Sequence, residues 1–283
     1  MANTGNIIVT ERDTNPFSST YDTTRTRTYQ DWVHCIPDGY KWSYVRENNQ
    51  SGYFECDAND TTILAQDTNF AYDSRTQYHT FRSVAIGNCV TEIGERAFSN
   101  MFYYNAGIIY IPSNVTTIGR SAFAYCDERA AYSPLTVETS AYDIGEYAFQ
   151  YSGITTLILN NGVNNIHEGA FRNCTALSSI NIPNSVEIIG QWAFLECTGA
   201  TSVTIGTGVT NINQGAFQGC QNLQSITILA TTPPSLRTNG AAPFYPTFPD
   251  NNCPIYVPAA SVSTYQSAQY WSNYASRIQA IPS

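Results

Sequence analysis

The sequence predicts a mainly β solenoid of about six to seven coils with a period of about 23 residues, headed by a small antiparallel β module and closed by a C-terminal strand-helix cap. Three observations carry this. An Ile and a Phe stand five residues apart six times, as Ile93 and Phe98, Ile118 and Phe123, Ile144 and Phe149, Ile166 and Phe171, Ile189 and Phe194, and Ile212 and Phe217. Seven residues before each of those isoleucines lies another aliphatic side chain, in order Ile86, Ile111, Val137, Leu159, Ile182 and Ile205. Between the two comes a small or short polar residue (Cys89, Asn114, Ser140, Gly162, Ser185, Gly208), followed at once by Val90, Val115, Ala141, Val163, Val186 and Val209. A unit this short cannot bury its own apolar face, so the coils must stack and share one continuous core.

Taken in order, residues 1–28 are rich in Thr, Asp and Asn with one short apolar run, Ile7-Ile8-Val9, and read as a polar tether with room for one strand. Residues 29–79 read as the small β module. Trp32 to Cys35 is strand-like, Pro37-Asp38-Gly39 is a turn, Tyr40 to Val45 alternates, Asn48 to Gly52 turns again, and Tyr53 to Cys56 closes the pattern. Asp-Gly between alternating runs is a hairpin signal. Tyr40, Trp42 and Tyr44 share one face of their strand. They are expected to fill the module's core or its contact with the first coil, with a stacking platform for a sugar ring as the alternative. Cys35 and Cys56, brought near each other by the hairpins, are the best disulfide pair in the chain.

Residues 80–230 read as the solenoid. Each coil writes one alternating segment, such as Ile154 to Leu159, Leu177 to Ile182, Ala200 to Ile205 and Leu223 to Ile228. Such a segment is a strand with one buried face. Stacked about 4.8 Å apart, these strands are expected to make one long parallel sheet whose open face carries Ile108, Tyr110, Thr156, Ile158, Asn181 and Thr204. The first two coils are longer, with 13 residues from Phe98 to Ile111 and 14 from Phe123 to Val137 against 10 or 11 later. Their insertions hold Tyr103, Tyr104 and Tyr132, and exposed tyrosines are favourable anchors at interfaces. The open face and these tyrosines are the expected ligand-binding residues. The alternative for the loops is packing against the N-terminal module.

Four cysteines, Cys126, Cys174, Cys197 and Cys220, sit three residues after their coil's Phe, where two coils carry Met101 and Ser152. Interchange with Met marks a buried slot, so these are expected to be free, packed thiols. Residues 231–283 read as the cap. A Pro-rich loop with Phe244, Tyr245 and Phe248 leads to the strand-like Cys253 to Pro258, then to a helical spacing of Val262, Tyr265, Ala268, Trp271 and Ala275 with Ser261 as N-cap. Such a segment covers the open edge of the last coil.

Charge and motif content limit the function. The net charge is -9 and Lys41 is the only lysine, whereas a nucleic-acid face needs clustered Lys and Arg. No run of eighteen apolar residues is present, so no transmembrane segment is expected. Met1 to Asn6 carries no basic segment followed by an apolar one. Either a leader was removed from a secreted or surface protein, or the chain is assembled inside a cell as a virion component. No nucleophile elbow, phosphate loop, paired-carboxylate motif or zinc-ligand spacing appears, so no enzyme activity, cofactor or metal is expected.

The run Leu177, Ile180, Ile182, Ser185, Val186, Ile189, Gly190, Ala193, Phe194, Cys197 resembles the leucine-rich repeats of the BspA type, found on surface proteins of gut and oral bacteria and some protozoa. The resemblance covers roughly residues 80 to 230, and the tail is similar to the C-terminal end of Bacteroides-like members. The chain departs from ordinary leucine-rich repeats where Ser, Gly or Cys replaces the usual Asn. The resemblance implies a leucine-rich repeat solenoid that acts in adhesion, binding a protein or glycan on a host or bacterial surface. The alternative is a phage virion protein, structural or for host recognition.

Overall fold

The computed structural model describes residues 8–12, 24–28, 40–46, 51–55, 62–63, 81–86, 90–100, 108–126, 135–237, 246–249 and 252–282. The repeated pattern folds as a β-solenoid of about seven turns, because every apolar register of the sequence faces one continuous core. Ile93, Phe98, Val90 and their counterparts in the later coils are almost completely buried.

Each coil contributes a long strand, a short strand and a turn. The long strands alternate as the sequence does: in Ile154–Leu159, Leu157 and Leu159 are buried while Thr156 and Ile158 are exposed. The short strands are a second ladder that the sequence reading did not anticipate. They run in chain order from Thr62–Ile63 to Ser235–Arg237 as an eight-stranded parallel sheet. Successive coils align Ile118 with Ile144, Ile144 with Ile166, Ile166 with Ile189, and Ile189 with Ile212. Two or three residues per strand are too few to write an alternating pattern.

The turn around the Ala-Phe pair is the third wall. Residues two before and two after each Phe have positive φ, as at Tyr147 (55°) and Tyr151 (54°) around Phe149, and Trp192 (55°) and Glu196 (59°) around Phe194. This left-handed backbone turns successive N–H groups the same way. Trp192, Phe194 and Glu196 all donate forward to the next coil, to the carbonyls of Gln214, Ala216 and Gln218 at 2.8–3.1 Å. Left-handed non-glycine residues cost about 1 kcal/mol or more each and persist only where the surroundings over-determine them. Here three inter-coil bonds per turn do so. Inside this wall the phenylalanine rings stack from Phe98 to Phe217 with centroids 5.0–5.4 Å apart and planes within 10°. At the slot of the small or short polar residue, two side chains bridge coils. Asn114 Nδ2 donates to the Val90 carbonyl, and Ser185 Oγ to that of Val163.

The structure differs from the sequence reading in several places. The long strands from Ile108–Tyr110 onward form two sheets instead of one, with three strands up to Ile154–Leu159 and five from Ser179–Ile182 onward, and Phe81–Ile86 lies in a third. The register shifts opposite Thr155, where Leu135 pairs with Ile154 but Thr136 with Thr156. A bulge of this kind increases the local twist, and regular pairing resumes from Thr136 and Thr156 onward.

At the front, Phe81–Ile86 pairs antiparallel with Tyr40–Arg46, which also pairs with Ser51–Glu55. The long strand of the first predicted coil is therefore an edge strand of the N-terminal module's sheet. In the tether, Ile8–Arg12 and Thr24–Thr28 pair antiparallel, two strands where one was expected. The strand at 32–35, the Asp-Gly turn and the Cys35 to Cys56 pairing lie outside the described residues.

The solenoid also runs past residue 230. Leu236 continues the short-strand register opposite Ile212, and Phe248 adds a seventh ring 5.8 Å from Phe217. The sequence hides this coil because Leu236 and Phe248 are twelve residues apart instead of five. Ile255–Val257 and Ile278–Ala280 then extend the long sheet. The single helix expected over Ser261 to Ile278 is broken into an α-helix at Val262–Ser267 and a 3-10 helix at Trp271–Arg277, with Tyr270 left-handed between them (φ 65°). Ser261 occupies the N-cap position but makes no side-chain cap bond.

The break sets both Trp271 and Tyr274 against Phe248, with ring centroids at 5.6 and 5.4 Å. The cap also ends the forward ladder chemically. Phe217 N–H donates to the Thr247 carbonyl at 2.8 Å, and Thr247 N–H donates in turn to the Tyr274 hydroxyl at 3.0 Å. Trp271 Nε1 and the Tyr265 hydroxyl donate to the carbonyls of Pro234 and Ala230 at 2.7 and 2.8 Å.

Candidate functional site

The long-strand face presents two rows of outward side chains, since every second residue of a strand faces away from the core. One row sets Ser179 beside Ser202 and Ser225, and the other sets Asn181 beside Thr204 and Thr227. Of the expected binding residues, Thr156, Ile158 and Asn181 are exposed and Thr204 is half-buried. In the strand ladder Ile108 lies beside Thr136, and Tyr110 beside Glu138, which in turn lies beside Ile158. Tyr103, Tyr104 and Tyr132 lie outside the described residues. Among the described residues of this face Glu138 is the only charged one.

Where the strands leave the face, a groove of about 310 Å³ opens to solvent. Its polar side is Asn160, Asn161, Asn181, Asn184 and Thr204, and Pro183 and Leu229 add apolar surface. Turn geometry places these residues. Asn160 and Asn161 follow the strand ending at Leu159, and Pro183 and Asn184 follow the strand ending at Ile182. Two of the amides are held: Asn184 Oδ1 accepts from Thr207 N–H at 2.9 Å, and Asn160 Nδ2 donates to Glu138 Oε1 at 3.2 Å. Sequence reading found Asn181 and Thr204 but missed Asn160, Asn161 and Asn184. The only signal was Asn recurring one or two residues after the strand's last aliphatic side chain.

The phenylalanine wall carries a different surface. Arg120 pairs with Glu146 at 3.4 Å and lies over the Tyr147 ring at 5.7 Å. The Tyr147 hydroxyl donates to Glu168. Burial, reinforced by this hydrogen bond to Glu168, pushes the Tyr147 phenol up to about 12. Tyr125 and Tyr151 stack 5.2 Å apart outside the wall. His167, 47% exposed, lies 3.3 Å from Asp143 on the short-strand side.

The slot three residues after each Phe holds free, buried thiols in Cys126, Cys174, Cys197 and Cys220. Each Sγ donates to the Phe carbonyl of the preceding coil at 3.1–3.2 Å. Ser152 fills the same slot and donates to the Phe123 carbonyl at 2.7 Å. The slot is thus a buried donor as well as a buried small side chain. Burial pushes the Cys174 thiol up to about 12 and raises Cys197 as well, and a protonated, enclosed thiol is unreactive. Among the described residues no group of three or more His, Cys, Asp or Glu side chains is placed to hold a metal ion. No helix among them is long and apolar enough to cross a membrane.

Comparison with known proteins agrees with this architecture. A crystal structure of a leucine-rich repeat protein from Bacteroides ovatus superposes with a TM-score of 0.50 at 22% identity, over 70% of this chain and 47% of that one. The chain thus spans about half the length of that protein. A leucine rich cell surface protein from Faecalibacterium prausnitzii aligns at 16% identity over 88% of this chain and 94% of its own, with a TM-score of 0.26. No curated protein sequence matches significantly. The family model of the BspA type leucine rich repeat region matches 6 copies over residues 45–130 and 142–248. With more than half its length in those repeats, the chain belongs to the BspA-type leucine-rich repeat family.

Proposed function

We propose that this chain is a non-enzymatic binding protein that recognises a protein or glycan on a host or bacterial surface through the long-strand face of its solenoid. The observation that carries the reading is the composition of that face. Its outward side chains are mostly small, polar and almost uncharged, on a backbone tied into parallel inter-strand ladders. Such a surface is rigid before a ligand arrives, and preorganisation lowers the entropic cost of binding. Membership of a repeat family of surface proteins supports placement at the cell surface, and the comparisons lend nothing to the virion alternative.

The test is binding of the full chain to matrix proteins, mucin glycans and bacterial surface polysaccharides. A Thr156→Arg, Ile158→Glu, Thr204→Arg variant should lose the ligand while melting as the wild type does. A second variant with Tyr103→Ala, Tyr104→Ala and Tyr110→Ala asks whether the early insertions, with Tyr132, share the site. Retention of binding by both variants sinks the strand-face reading.

A further inference from the structure

We propose that the asparagine groove at the rim of the strand face is a subsite for an uncharged oligosaccharide. The inference rests on the binding function above and narrows it. Hydrogen-bond bookkeeping leads to the ligand class. Asn184 uses its Oδ1 on Thr207 N–H and so presents its Nδ2 as a donor. Asn160 uses its Nδ2 on Glu138 and so presents its Oδ1 as an acceptor. The exposed amides of Asn161 and Asn181 make no hydrogen bond among the described residues and offer both.

Donors and acceptors therefore stand side by side along the rim on amides that carry no charge. A hydroxyl-rich ring needs this mixture, because every sugar hydroxyl both donates and accepts. A phosphate, sulfate or carboxylate needs donors alone and gains nothing from the acceptors. A cation needs acceptors and meets exposed N–H₂ groups.

The apolar part of the groove fits the same ligand. Leu229, 37% exposed, and half-buried Pro183 present low, open apolar surfaces without a deep pocket. These match the C–H face of a pyranose better than an anchoring side chain. Length agrees too: the lining residues come from four successive coils, which at a strand spacing of about 4.8 Å span about 14 Å. That is room for a short oligosaccharide.

The experiment is calorimetric titration of the full chain with neutral di- to tetrasaccharides, sialylated and sulfated oligosaccharides, and short peptides. Asn161→Asp and Asn184→Asp keep the side-chain shape, and Asn184→Asp keeps the acceptor for Thr207 N–H, while each removes an N–H₂ donor. At least one neutral oligosaccharide should bind the wild type, and each variant should weaken it about tenfold without a change in melting temperature. His167→Gln, on the short-strand side, should leave this titration unchanged. The subsite is overturned if no neutral sugar binds, if only charged sugars or peptides bind, or if the Asp variants titrate like the wild type. Surface ligands that still bind and are still lost in the Thr156, Ile158, Thr204 variant would then leave the strand-face function standing, whereas loss of both results would remove both readings.

Discussion

The phenylalanine wall and the strand face are built from the same coils, yet the chain treats them in opposite ways. Along the wall six coils repeat Ala-Phe, and each of these side chains is completely buried from Ala97 and Phe98 to Ala216 and Phe217. Along the face the outward pairs are less strict, running from Thr156 and Ile158 to Ser179 and Asn181 and then to Ser202 and Thr204, a pair that Ser225 and Thr227 repeat. Geometry explains the contrast. A wall residue touches its own copy in the coils on both sides, so one misfit is felt twice. An outward strand residue has solvent on its open side, so a change there leaves no cavity in the core. The coil is thus divided into a part that must repeat and a part that need not.

The largest effect should come from breaking the ring column. Phe194→Ala removes a ring stacked at 5.1 Å on Phe171 and 5.4 Å on Phe217, and should cost about 3–5 kcal/mol in chemical denaturation. A midpoint unchanged by this substitution would refute the shared core.

Next is Gly208→Ala. A Cβ there would stand 2.0 Å from the Asn184 carbonyl oxygen, so the coils must separate at an expected cost of about 1–3 kcal/mol. The same denaturation assay reads it, although Ser185 occupies the equivalent slot one coil earlier.

A smaller effect is expected for Cys174→Ser, about 1 kcal/mol at neutral pH, because Ser152 shows that a hydroxyl can make the same bond. Its sharper signature is pH dependence. The folded thiol is raised from 9.0 to about 12, so above about pH 9 the unfolded chain releases a proton that the folded chain retains. The thiol's contribution is complete below pH 9 and is lost as pH rises toward 12. The serine variant should therefore show a shallower alkaline fall in stability, and an identical fall in both proteins would contradict the buried-thiol account.

The smallest effect belongs to the strand face. Thr204→Ala should change stability by less than about 0.5 kcal/mol. A loss comparable with that of Gly208→Ala would erase the distinction between the two surfaces.

These two surfaces were not equally legible. The wall was visible because it repeats: Ile189 and Phe194 keep their spacing in six coils, and that register alone implies stacking. The seventh coil was invisible for the same reason, since an insertion separates Leu236 from Phe248. The helix of the cap was only half legible. Val262 and Tyr265 have helical spacing, but the left-handed turn at Tyr270 answers to the position of Phe248, a tertiary demand. In the candidate site, Thr156, Ile158, Asn181 and Thr204 followed from strand alternation. Asn160, Asn161 and Asn184 did not, because they sit in turns and meet only when successive coils are laid side by side.

What the amino-acid sequence determined by itself is the period, the buried registers and the alternation of the long strands, all of which are local patterns repeated until chance cannot supply them. Tertiary structure alone decided the break between Ile154–Leu159 and Ser179–Ile182, the pairing of Phe81–Ile86 with the N-terminal module, the capping of Phe248 and the gathering of four asparagines into one groove. Each of these depends on how one coil is displaced against the next, and that displacement is a property of stacked backbone, which no single repeat encodes.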